Sequence, residues 1–259
     1  MLRSIGFAFV VISSVISASA LAAALPRIAS MNVCTDQLLL PLADPEQILG
    51  LSPFSRDAWQ SWAADDARKY PRLSGGAEDV LVLKPDVFVA SLFDKRSTRE
   101  LLKAHGLRVT EFSVPRNADE VKAQIRKMGE IAGHSDRATA EIVRIDGAVA
   151  RARNVVLEKP YSVLPLSRRG WVFGKDSLIS SLLSEVGLFN AAADLELGTG
   201  GFASLETIVR PGPICLSYRR QGIARRMTAA LFFCTRRSSG FIRWKSASYF
   251  RSDLRYAAV

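Results

Sequence analysis

The sequence predicts an α/β protein in which two α/β lobes with parallel sheets are joined by one long helix, the second lobe being incomplete. Three observations predict it. Between residues 27 and 114, short apolar runs alternate with helical segments through short loops, the pattern of a parallel sheet covered on both faces. The segment "SDRATAEIVRIDGAVARARNVV" then carries Ala138, Ile142, Ile145, Val149, Ala152 and Val156 in steps of four and three, a single apolar stripe along one helix. Beyond it, "YSVLPL" and "SLISSLLSEVGL" resume the strand–helix order, which stops after little more than one unit.

The elements follow in order. "RIASMNV" reads as a strand ending near Asn32, and "CTDQLLLPLAD" as a helix with Thr35 or Asp36 as its N-cap. "ILGLSP" is a second short strand. Gly75-Gly76 opens a helix over Ala77–Leu83 that Lys84-Pro85-Asp86 breaks, because a residue before proline is pushed out of the helical region. Val87 to Ala90 is a buried strand, and "STRELLKAHGLRVTEFSV" repeats helix, Gly106, strand. "NADEVKAQIRKMGEIAG" is a helix capped by Asn117, and "ASLETIV" begins another. The organisation is therefore a leader over 1–23, an N-terminal lobe over 24–134, a linking helix over 135–158, a partial second lobe over 159–209 and an aberrant basic tail over 210–259.

The leader reading rests on "MLRSIGFAFVVISSVISASALAAALPR", with a cation at Arg3, an apolar run from Ile5 to Ile16 and small residues after it. That is the build of a cleavable secretory signal, cut within 20–23, and the run is short for a permanent span. Three cysteines make no disulfide framework and have no zinc spacing. Two histidines, His105 and His134, lie in different segments. A receptor for a bare metal ion needs three or four converging N/O ligands, so no metal site and no cofactor are expected. Cys34, Asp36 and His105 do not make a convincing nucleophile set, and no enzyme activity is expected.

"IASMNVCTDQLLLPLADPEQILGLSP", "AEDVLVLKPDVFVAS", the long helix, and "KDSLISSLLSEVGLFNAA" followed by "ASLETIV" together resemble periplasmic substrate-binding proteins of the cobalamin and ferric-siderophore ABC importers. The resemblance runs from about Arg27 to Val209. It implies a periplasmic, monomeric carrier that binds a small-molecule metal chelate between its lobes and delivers it to an inner-membrane ABC permease dimer. It also implies a cleft built from loops after the strands, carrying Asn32, Cys34, Thr35, Asp36, Phe54, Arg56 and Phe93 in the first lobe and Arg168 and Trp171 in the second. Aromatic faces suit a corrin or catecholate, and arginine supplies forked donors to their oxygens. Glu78 and Glu206 each stand at a helix start. There they complement the helix dipole, and the resemblance gives them a second role, docking on the permease.

The tail is different in kind. "RPGPICLSYRRQGIARRM" begins at Arg210 with five arginines and no acid. Residues 210–259 hold eleven of the 35 Lys+Arg and one of the 25 Asp+Glu, so the rest of the chain is balanced at 24 of each and the net charge of +10 comes from the tail. One reading is a frameshift. Inserting one G after the Val209 codon permits the text "ETIVAARPDLLVVS", which parallels "EDVLVLKPDVFVAS" of the first lobe. On that reading 210–259 adds no strand to the second sheet and leaves its edge open. The rival is an exported protein whose basic tail binds polyanions or anionic membrane. The tail's scattered Phe, Trp, Tyr and Cys speak against a nucleic-acid arm, and no nucleic-acid partner is expected.

Overall fold

The structure, a computed structural model, describes residues 24–156, 162–204, 206–207, 215–219, 230–234 and 242–243; for Arg168 and the last three stretches it describes backbone alone. The leader expected over 1–23 lies outside the described residues. No described helix is long and apolar enough to cross a membrane.

The N-terminal lobe is built on strands β1 (Ile28–Ser30), β2 (Ile48–Gly50), β3 (Val87–Ser91) and β4 (Arg108–Phe112), all parallel in the order β2-β1-β3-β4. Helices α1 (Val33–Leu42), α3 (Ala77–Leu83) and α4 (Arg96–Ala104) make the crossovers, with a short α2 (Ala64–Ala67) in the long loop before α3. β3 is buried at every position, as a central parallel strand must be. Its side chains alternate between two cores. Val87 and Val89 face Leu39, Leu42, Ile125 and Met128, whereas Phe88 and Ala90 face Val80 and Leu102. Each large side chain buried this way stabilises the fold by about 1.5–3 kcal/mol.

Helix α5 (Ala118–Ala132) is capped by Asn117, whose side chain accepts from the Glu120 N–H. It ends at Gly133 (φ 77), a left-handed position that glycine occupies without penalty. α6 (Ser135–Val156) then runs back along it. Gly129 lets the two helices meet, since a Cβ there would lie 2.5 Å from the Ala138 Cβ. Ala138, Ile142, Ala148 and Ala152 form the buried stripe, with Ile145 half-buried beside them. The Lys122–Asp146 ion pair, at 2.6 Å, ties α5 to α6.

The second sheet holds β5 (Ser162–Leu166), β6 (Trp171–Val172), β7 (Phe189–Asn190), β8 (Gly201–Phe202), β9 (Cys215–Arg219), β10 (Ala230–Cys234) and β11 (Ile242–Arg243). α7 (Leu178–Glu185) leads from β6 to β7. β5 pairs in parallel with β7 and with β9, while β10 and β11 extend the sheet antiparallel. Arg153 of α6 donates to the Glu185 carbonyl at 2.7 Å, which joins the linking helix to α7.

Two expectations are corrected. The first concerns the α1 N-cap, which is Asn32 and not Thr35 or Asp36: its Oδ1 accepts from the Cys34 N–H at 2.9 Å. The second concerns the tail, which adds three strands, so the second sheet is not left open beside β5. The physical reason lies in local pattern. "CLSYR" and "ALFFC" are short apolar and aromatic runs with strand preference, and the high arginine content around them masked that signal.

Candidate ligand-binding site

In the order β2-β1-β3 the carboxyl ends of three adjacent strands lie side by side, so their loops share one rim of the first lobe. A polar network stitches these loops together beneath the surface. Asn32, after β1, donates from Nδ2 to Asp94 Oδ1 at 2.9 Å, and Asp94 Oδ2 accepts from the Ser91 N–H at 2.7 Å. Asp36 accepts from the Ser52 N–H with both oxygens at 3.2 Å and from Ser52 Oγ at 2.5 Å. Thr35 Oγ1 lies 2.8 Å from Ser30 Oγ and donates to the Asn32 carbonyl at 2.9 Å.

Thr35 and Asp36 are 0% exposed. Their expected ligand contact is therefore corrected: they brace the rim from inside and do not reach its surface. Burial pushes the Asp36 carboxyl up to about 7, against the lowering effect of bonds from Ser30 and Ser52. Cys34 is free and half-buried, and burial followed by the nearby Asp36 and Asp94 carboxylates pushes its thiol up to about 11. A thiol held protonated is a poor nucleophile and a poor metal ligand.

What does reach solvent is aromatic. Phe54, after β2, is 54% exposed, and Phe93, after β3, is 79% exposed. Arg56 is half-buried and donates from Nη2 to the Tyr70 carbonyl at 2.6 Å, which ties down the Phe54 loop. In the second lobe the chain turns after β5 through Arg168–Gly170, with Arg169 left-handed (φ 59), and returns along β6. There Trp171 stands opposite Phe202 of β8, the ring centroids 5.1 Å apart and edge to face at 83°. Arg168 lies in the turn; its side chain is outside the described residues. Phe202, 69% exposed, was missed by sequence reasoning, because only the β6–β8 pairing brings it to Trp171.

Neither histidine belongs to this rim. His105 is the C-cap of α4, and His134 Nε2 lies 3.1 Å from Asp44 Oδ2 beside α6. Among the described residues, no three His, Cys, Asp or Glu side chains converge as a metal site. Glu78 lies in the first turn of α3 and Glu206 in the short helical turn at 206–207, both exposed. The Glu78 carboxylate folds back over Gly76, and the bond from Ser204 lowers the pKa of Glu206.

A profile of the periplasmic binding protein family matches residues 28–213. The chain belongs to this family. Among solved structures, a possible iron-binding periplasmic solute-binding protein from Staphylococcus epidermidis ATCC 12228 is 20% identical, with a TM-score of 0.63 over 76% of this chain and 78% of that one. The periplasmic heme-binding protein RhuT from Roseiflexus sp. RS-1 is 20% identical, with a TM-score of 0.61 over 74% of this chain and 76% of that one. HutB of Vibrio cholerae, also a periplasmic heme-binding protein, is 18% identical, with a TM-score of 0.60 over 74% and 76%. Among curated proteins none matches the sequence. The family's fold thus holds both the lobe with Phe54 and Phe93 and the strands with Trp171.

Proposed function

We propose that this chain is the exported, periplasmic solute-binding component of an ABC importer, which captures an organic metal chelate and delivers it to an inner-membrane permease dimer. The observation that carries the reading is the set of aromatic side chains at strand ends of a periplasmic binding protein, exposed Phe54 and Phe93 on one lobe and, on the other, half-buried Trp171 against exposed Phe202. Flat apolar faces suit a metal already wrapped in an organic ligand, whether haem, a corrinoid or a ferric siderophore. Haem enters here because relatives of the same fold bind it. Catalysis is not part of this role. The test is tryptophan fluorescence during titration with haemin, a ferric triscatecholate and cobalamin. One of them is expected to quench saturably, and Trp171→Phe to remove part of the quench. No response to any of the three contradicts the carrier reading.

Glu78 and Glu206 are the docking pair of this reading. Their equivalence has support in the fold, since β3 begins nine positions after Glu78 and β9 nine positions after Glu206. Both strands lie in parallel beside the first strand of their sheet. The reading frame after Val209 is the second part of the proposal. The family match ends at residue 213, and the frame restored by one inserted base writes "LLVVS" where β9 runs, as "VFVAS" writes β3. The strands found in the tail remove the argument that it adds none; the internal repeat and the end of the family match remain. Sequencing the gene across the Val209 codon tests it, and a clean sequence in the present frame contradicts it.

A further inference from the structure

The loop between β3 and α4 is held unusually firmly for a segment whose tip is so exposed. Its first three N–H groups are engaged: Leu92 donates to the Phe112 carbonyl at 2.9 Å, Phe93 to Ser91 Oγ at 3.2 Å and Asp94 to the Ser91 carbonyl at 3.1 Å. Two of its carbonyls converge on one side chain. Arg99 donates from Nη2 to the Leu92 carbonyl at 3.0 Å and from Nε to the Asp94 carbonyl at 3.4 Å. Arg99 is 7% exposed, and its charge is met by Glu111 of β4 at 2.5 Å. Glu111 is held below the usual carboxylate range by Lys103 first and Arg99 second. The loop is thus gripped from the Arg99 side through its main chain and from the Asn32 side through the Asp94 carboxylate, while the Phe93 ring stands in solvent.

We infer that Arg99 is a positioning residue of the ligand site: it fixes the β3–α4 loop so that Phe93 is presented, before ligand arrives, as a flat apolar contact for the chelate. The inference rests on the solute-binding reading. An exposed aromatic ring on a loose loop loses conformational freedom on binding, and pre-ordering the loop removes that cost. The guanidinium suits the task because its planar fork donates to two carbonyls and a carboxylate at once, which an ammonium group cannot do in the same geometry. The ligand class this favours has an extended planar or aromatic surface.

The test uses the full chain with two readouts. The first is amide exchange at Leu92, Phe93 and Asp94 without ligand, in the wild type, Arg99→Gln and Arg99→Lys. Exchange is expected to rise about tenfold in Arg99→Gln and less in Arg99→Lys, which keeps the ion pair with Glu111 and so remains folded. The second is affinity for haemin and for a ferric triscatecholate in a double-mutant cycle with Phe93→Ala, an exposed site whose truncation leaves the fold intact. Each single variant is expected to weaken binding about tenfold, and the double variant no more than Phe93→Ala alone. Unchanged exchange in Arg99→Gln overturns the clamp. Equal loss from Arg99→Gln with and without Phe93 overturns its action through that ring. A wild-type chain that binds neither of these probes nor cobalamin, with exchange still responding to Arg99, leaves the clamp standing and overturns the carrier reading together with the role given to Phe93.

Discussion

The two sheets start alike and end differently. In the first, β1 lies between β2 and β3, all parallel, and β4 continues in the same direction through the α4 crossover. In the second, β5 lies between β7 and β9, again parallel. There the likeness stops. β10 runs antiparallel to β9, and β11 antiparallel to β10. A parallel crossover takes a dozen or more residues, commonly a helix, and 220–229 is shorter than that. The first lobe buries residues on both faces of its sheet, from Val89 to Phe88, whereas the described core of the second holds Leu164, Val172 and Ala192. The lesson is that the half of the molecule carrying Phe54 and Phe93 is held by a thick core on two sheet faces, whereas among the described residues the half carrying Trp171 shows a smaller one.

The largest effect expected from this contrast is thermal. Leu102→Ala removes a fully buried side chain from the first lobe and is expected to cost about 2–5 kcal/mol and lower its unfolding transition. Leu164→Ala, equally buried, carries a loss of the same order. It is expected to act on a separate, lower transition and to spare the first lobe. Calorimetry of both variants checks this, and a single transition shifted equally by either change breaks the comparison.

Next in size is a pH effect confined to the first lobe. The Asp36 carboxyl is raised to about 7 from its ordinary 3.8 by burial. A group raised on folding contributes its full stability below its unfolded value and loses it as pH rises through its folded one. The first lobe is therefore expected to weaken by a few kcal/mol as pH climbs from about 4 to above about 7, by the linkage relation. Asp36→Asn keeps an acceptor for Ser52 and is expected to flatten that slope. Denaturant titrations at several pH values check it, and an unchanged slope in Asp36→Asn refutes it.

The smallest structural effect, and the most specific functional one, belongs to the pair that the lobes share. Glu78→Lys or Glu206→Lys is expected to reduce transport in cells several-fold while leaving chelate affinity and stability unchanged, because exposed rim charges act on partner encounter. Lost affinity in either variant would move that carboxylate from docking to ligand contact.

Much of the first lobe was legible because its signals are local. Gly75-Gly76 and Lys84-Pro85 bound α3 at Ala77–Leu83, and the step of the apolar residues foretold the buried face of α6. The site was legible only where exposure follows from the loop itself, as at Phe54 and Phe93. Asp36 looked like a surface cap, since its partner Ser52 is sixteen positions away and only the β1–β2 pairing joins them. Arg99 and Phe202 carried no sequence signal because their roles come from loop and strand contacts. In the tail, arginine density concealed the two runs that became β9 and β10.

Calorimetric titration of the full chain with haemin, a ferric triscatecholate, cobalamin and ferric citrate tests the central claim most directly, with heparin as a polyanion control at two salt concentrations. The account predicts saturable binding of one organic chelate at one site per chain, displaced little by salt, with neither ferric citrate nor heparin competing. Heat from heparin alone, with affinity that collapses as salt rises and is abolished by removing 210–259, would contradict it and give the protein to its basic tail.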